Sequence, residues 1–489
     1  MNHRGDGALP SSCHPGGAQR PRDLPAGSRC RLGRQVPRFA RNDTVIAGLA
    51  ASLAMTMALA SPGAAQLGSF NPPPGPQGTF AIRGGHVVTV SGADIPSGTV
   101  VISGGKITAV GANVQVPSNA KIIDASGLMV YPGMIETGSS VGLSEIGQGA
   151  ASTVDISEVG SFNPNAQAFF GIDPHSAHIG VARVVGITTV VSRPTGGIIS
   201  GQAALMNLAG DTPPKMAVVP RIAMVIELPR SGFGGRGFAR AAALQQGSPA
   251  DANRVRQAQL DSLRAMLHDA KAYGIAQAAY AKDKSLPRPE HDVVLASLLP
   301  ALDGQMPVIF PADRANDIRA AVNFADEMGL KPIIMGGQEA PAVAAFLKQH
   351  NVPVIVTAVM QLPSREDDPY DVNFTIPAKL AAAGVTFAIS TGDRGSEIRT
   401  LPYTAGMAAA HGLSKTDALK SVTLWPAQIF GVGDKMGSID VGKMANIVVT
   451  TGDLLEAKTD TKYLFIDGRQ VPLDDKHTEL NALFKDRPE

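Results

Sequence analysis

Cysteine is nearly missing from this sequence. The two that exist, Cys13 and Cys30, both fall within the first 65 residues. From residue 66 onward there is no disulfide, no thiolate metal ligand and no cysteine nucleophile. A membrane-length apolar run is lacking as well. Val45 to Ala60 is apolar over 16 residues, short of the ~20 that a spanning helix needs. Eight arginines and no lysine lie within residues 1–41, and Ser61-Pro-Gly-Ala-Ala65 follows the apolar run. Basic, then apolar, then small is the order of a secretory signal, so residues 1–65 read as a signal peptide with an extended N-region, cut near Ala65/Gln66. Periplasmic or secreted placement is expected. Without that segment the chain carries 35 basic and 39 acidic side chains. No excess of positive charge remains to hold nucleic acid or an anionic membrane surface.

Glycine (53) and proline (36) are plentiful in a chain with 44% hydrophobic and 17% charged residues, a turn-rich globular composition. Residues 66–78 form a Pro/Gly linker. Short strands separated by turn pairs follow: Phe80–Arg83, Gly84-Gly85, His86–Val90, a turn through Pro96-Ser-Gly98, Thr99–Ile102, and Lys106–Val110. Similar strands recur near the other end, within 437–450 and at 463–471. Between them strands alternate with helices. The strand candidates are Met134–Thr137, Ile187–Ser192, Ala217–Ile226, Pro307–Phe310, Pro332–Met335, Pro353–Val356 and Val385–Ser390. In the helix Asp317–Met328, Ile318, Val322, Ala325 and Met328 share one stripe, as do Leu260, Leu263, Leu267 and Ala270 in an earlier one. Gly329 and Gly274 are read as their stops. One barrel strand, assigned as the fourth, is left unplaced. The Gly/Arg-rich residues 230–238 lack a Gly-Lys-Ser/Thr ending and read as a loop.

The stretch around Pro132-Gly-Met-Ile-Glu136-Thr-Gly138-Ser-Ser140 resembles the first barrel strand of the amidohydrolase superfamily, in its imidazolonepropionase- and prolidase-like branch. The resemblance covers about residues 79–475. It implies a (β/α)8 barrel over 132–425, a β-sandwich assembled from 79–131 and 426–475, and a tail at 476–489. It also implies a divalent metal that lowers the pKa of a bound water, held by two histidines on the first strand, one each on the fifth and sixth and an aspartate on the eighth, often with a modified lysine or a glutamate on the fourth. Here Gly138 and Ser140 stand where the first two would be, Pro311 where the fifth-strand histidine would be, and glycine where the sixth-strand one would be. Asp393, after the eighth strand, is the retained carboxylate and the expected catalytic group. No metal ligand set and no cofactor are expected, although relatives use zinc or a similar ion.

Three functions remain open on these residues. The first is C–N bond hydrolysis of a small amide or dipeptide with a degenerate metal centre. The second is a non-catalytic protein that binds a small ligand, self-associates, or pairs with an active paralogue. The third is a serine hydrolase using Ser140, Asp393 and His411, since Gly138-Ser-Ser-Val-Gly142 fits Gly-x-Ser-x-Gly. Ser200 and Gln202 are expected to line the substrate pocket. Glu145, Glu158 and Glu227 are further carboxylates for acid–base work.

Overall fold

The computed structural model describes residues 73–145, 153–229, 249–392 and 395–486. Asp393, residues 230–238 read as a loop and residues 1–65 read as a signal lie outside them. Two eight-stranded sheets organise the chain. The first contains β1 (Phe80–Val87), β2 (Ile95–Ser103), β3 (Lys106–Gly111), β4 (Lys121–Asp124) and β5 (Met129–Pro132). The second runs from β6 (Met134–Ser139) through β7 (Ile187–Ser192), β8 (Ile199–Asn207), β9 (Ala217–Ile226), β10 (Val308–Ala312), β11 (Pro332–Gly336), β12 (Val354–Val356) and β13 (Phe387–Ile389). The chain then returns to the first sheet with β14 (Ile447–Thr450), β15 (Thr461–Ile466) and β16 (Arg469–Val471), where β14 pairs antiparallel with β5. Gly84 and Gly85 do not break β1 as expected. The strand passes through them with register shifts against β2, and Gly84 takes the left-handed region (φ 79°) that such an irregularity asks for.

The second sheet follows sequence order and curls nearly closed into a TIM-like barrel, with Ile135 N of β6 donating to Val422 O (2.8 Å) beyond β13. It is not a uniform (β/α)8 unit. β8 runs antiparallel to both β7 and β9. Only residues 193–198 join β7 to β8, and a parallel crossover needs about a dozen residues or more. β8 is also the strand the sequence hid, and it is the third in order; Ala217–Ile226 is the fourth. Its Gly-Gln-Ala-Ala-Leu-Met run carries no β-branched or aromatic residue to announce it.

Period-two alternation sorts the side chains. Ile309, Met335, Ile355, Val191 and Leu205 fill the barrel interior, while Val308, Phe310, Val354 and Val356 face the helices. Helix Ala315–Met328 buries its expected stripe and stops at Gly329 (φ 74°). Gly274 stops nothing. Helix Pro249–Lys282 continues through it, and a Cβ there would lie 2.8 Å from Leu299, so the glycine serves close packing. The tail is a helix, Lys476–Phe484, with an Asp475–Thr478 capping box. No helix among the described residues is long and apolar enough to cross a membrane.

A buried amide network joins β7 and β8 to the first sheet. Asn446 Nδ2 donates to Thr189 Oγ1 (3.0 Å) and Asn207 Oδ1 (2.9 Å), and its Oδ1 accepts from Asp467 N (2.8 Å). Replacing Asn446 by Ala takes the acceptor from Asp467 N and one donor from the Thr189–Asn207 pair, which keeps its own hydrogen bond (3.1 Å), and is expected to cost about 2 kcal/mol. The urea midpoint, with unchanged slope, measures it; a loss below about 0.5 kcal/mol would mean the network contributes nothing net.

Candidate functional site

β6 is buried along its whole length, and it ends in the residues that carry the family resemblance. Glu136, with no exposed surface, receives five hydrogen bonds. Its Oε1 accepts from Thr137 N (2.9 Å), Gly138 N (3.1 Å) and Ser390 Oγ. Its Oε2 accepts from Thr391 N (3.0 Å) and Thr391 Oγ1 (2.9 Å). Ser390 Oγ in turn accepts from Gly392 N (3.1 Å). Burial pushes the Glu136 carboxyl above its ordinary range, and the donors from Ser390, Thr391 and Gly138 pull it back. The carboxylate therefore ties the first barrel strand to the segment just after the eighth.

Gly138 decides whether a family-type metal fits. A Cβ built on it would lie 1.9 Å from Met335 Cε and 3.0 Å from Ser390 Oγ. The first-strand ligand position thus lacks a side chain and has its space filled by the β11 methionine. Pro311, at the end of β10, offers no side-chain donor. Gly336 closes β11, and a Cβ there would meet Asp313 Oδ1 at 2.4 Å. Among the described residues no three His, Cys, Asp or Glu side chains gather closely enough to hold a cation. Structural and catalytic sites take three or four protein ligands, so the described donor set does not fit the ion.

Above this packed floor opens a cleft of about 1760 Å³. The strand ends supply Phe310, Pro311, Met335, Gly336, Thr391 and Gly392, and Thr357 comes just after β12. This is the face where barrel enzymes place their sites. Two of its cations are paired with anions. Arg264 makes a two-pronged contact with Glu327 (2.7 and 3.0 Å), and Arg365 reaches Glu339 (3.0 Å). Arg193, after β7, is almost wholly buried; burial lowers its guanidinium to about 10, and Glu227 opposes that.

Ser200 and Gln202 are buried in β8, and neither lines the cleft, contrary to expectation. Gln202 Nε2 donates to Pro164 O (2.7 Å), and its backbone N donates to Ala166 O (2.8 Å), so this part of the strand is covered by residues 164–167. Ser140 is 4% exposed. His411 directs Nδ1 to Met407 O (3.0 Å) in its own helix and packs on Phe374. Glu158 is exposed; Glu145 is half-buried, with Oε2 accepting from Ala177 N (3.3 Å). Met335, Ser390 and Thr391 were not singled out from sequence. The available hint was Gly138 itself, since a glycine at an interior strand position asks for a partner to fill its space.

Comparisons with known proteins agree with this architecture. The model of the Amidohydrolase family matches residues 312–471. An amidohydrolase from Thermotoga maritima MSB8 superposes with a TM-score of 0.72 at 25% identity, covering 80% of this chain and 99% of that one. Molinate hydrolase shares the fold at 18% identity and a TM-score of 0.50, covering 84% and 98%. No curated protein matches the chain. The later barrel strands and the returning sheet thus match the Amidohydrolase family, and over four-fifths of its length the chain has the fold of an amidohydrolase.

Proposed function

We propose that this chain is an exported member of the superfamily that binds a small amide- or peptide-like molecule in its barrel mouth without the family's metal-bound hydroxide. The observation that carries this reading is the Met335 methyl seated where a side chain at position 138 would begin. Metal chemistry needs ligands at several strand ends at once, and Gly138, Pro311 and Gly336 supply none. The degenerate centre and the export are both part of this proposal; pairing with an active paralogue is the other form that the non-catalytic reading takes.

C–N bond hydrolysis is the second reading, favoured by the family and by a cleft that still opens over Thr391 and Gly392, directly before Asp393. In it Asp393 acts as acid–base. Ser140 hydrolysis loses its support, because His411 is committed to its own helix.

Elemental analysis of the purified protein should find less than stoichiometric zinc or manganese. Adding 100 μM Zn²⁺ should leave the Tm in place, whereas a site with a Kd near 1 μM would add about 2.7 kcal/mol. Stoichiometric metal, or amidase turnover that Zn²⁺ raises and Asp393→Asn abolishes, would decide for hydrolysis instead.

A further inference from the structure

The segment between β12 and the helix Ile376–Ala382 forms one wall of the cleft, and its hydrogen bonding is unusual for an exposed connection. Leu362 is 76% exposed and Met360 54%, yet both line the cleft. A free loop would fold such side chains back onto the core to recover burial. This one is pinned. Asn373, 1% exposed, donates through Nδ2 to Gln361 O (2.9 Å) and Leu362 O (3.0 Å). Gln338, just after β11, donates through Nε2 to Leu362 O and to Asn373 Oδ1, each at 3.3 Å. Gln361 Nε2 returns to Thr357 O (3.2 Å), closing the turn on the end of its own strand.

Buried Asn373 and half-buried Gln338 thus spend donors on the backbone beside Leu362, holding two apolar side chains outward into the cavity. Leu228 and Leu260 supply further apolar surface in the same cleft. The geometry points to Met360 and Leu362 as a preorganised subsite for one apolar side group of the cleft's ligand, with Asn373 as the residue that positions it. This rests on the small-molecule-binding reading above. Preorganisation matters because a wall that is already rigid spares the ligand the ordering cost of making it.

The probes are N-acetylglycinamide, N-acetylalaninamide, N-acetylvalinamide and N-acetylleucinamide, with Kd measured by NMR titration on the full chain. In the wild type the affinity should rise about fourfold for each added carbon up the series. Leu362→Ser and the double variant Met360→Ser/Leu362→Ser, both at exposed positions that leave the fold intact, should flatten that rise to under twofold. Asn373→Ala should flatten it too while keeping both apolar side chains, an effect that stability alone does not produce. Equal affinity of the wild type for all four amides overturns the subsite. So does a full rise in the Leu362→Ser or Asn373→Ala protein. If no member binds the wild type, it is the small-molecule-binding reading that fails, and the subsite falls with it.

Discussion

Glu136→Ala should lower the unfolding free energy by about 4 kcal/mol. One buried carboxylate accepts from Thr137 N, Gly138 N, Ser390 Oγ, Thr391 N and Thr391 Oγ1. Truncation leaves several of these donors buried without an acceptor, at roughly 1–3 kcal/mol each before relaxation. Water entering from the cleft side recovers part of that loss, since Thr391 lines the cavity. Glu136→Gln separates charge from acceptor number. It keeps one oxygen for three donors or for two, but turns an NH₂ toward the rest, and should cost about half as much. Denaturant midpoints measure both variants. Hydrogen exchange locates the effect, with the Gly138 and Thr391 amides losing protection before those of β10 and β11. A loss below about 1 kcal/mol for the alanine variant would show that the carboxylate is not the tie between first and eighth strands.

That tie also explains which parts of the molecule were legible in sequence. Elements with a local signal were found. The stripe of Ile318, Val322, Ala325 and Met328 buries as periodicity requires, and the β-branched runs at Ile187–Ser192 and Val354–Val356 form β7 and β12. The order of motifs at the two chain ends pointed to the superfamily. Features set by pairing across the barrel were not found. β8 has weak intrinsic strand character and is held by its neighbours β7 and β9. That is also why Ser200 and Gln202, read as pocket residues after a turn, end up buried in a strand. Gly274 was taken as a stop because no sequence rule shows that Leu299 packs against it. The missing histidines were plain to read, but their replacement was not. Gly138 and Met335 are nearly two hundred residues apart, and only the curled barrel sheet brings them together.

Restoring an imidazole by Gly138→His should therefore destabilise the protein by about 3 kcal/mol rather than revive a metal site. The new Cβ falls on Met335 Cε, and Met335 is itself 3% exposed among Ile135, Ile309 and Ile355. Its thioether is the flexible end of a long side chain and can swing toward the cleft it borders. The cost then comes from its lost burial and from overpacking, which runs to 1–3 kcal/mol and more in tight cores. Backbone strain does not enter, because Gly138 is not among the glycines of positive φ. Met335→Ala alone should cost about 2–3 kcal/mol through the cavity it leaves. In the double variant the ring moves into that cavity, so the two losses should overlap by at least about 1.5 kcal/mol, a favourable coupling that a double-mutant cycle reads directly. Additive losses would place the methionine elsewhere in solution. Zn²⁺ supplies the second arm. One imidazole beside Pro311 and Gly336 does not make a set of three ligands, so 100 μM Zn²⁺ should leave the Tm of Gly138→His unchanged. A zinc-dependent rise in that variant would mean that the barrel floor holds more of a ligand geometry than its packing of Met335 against Gly138 indicates.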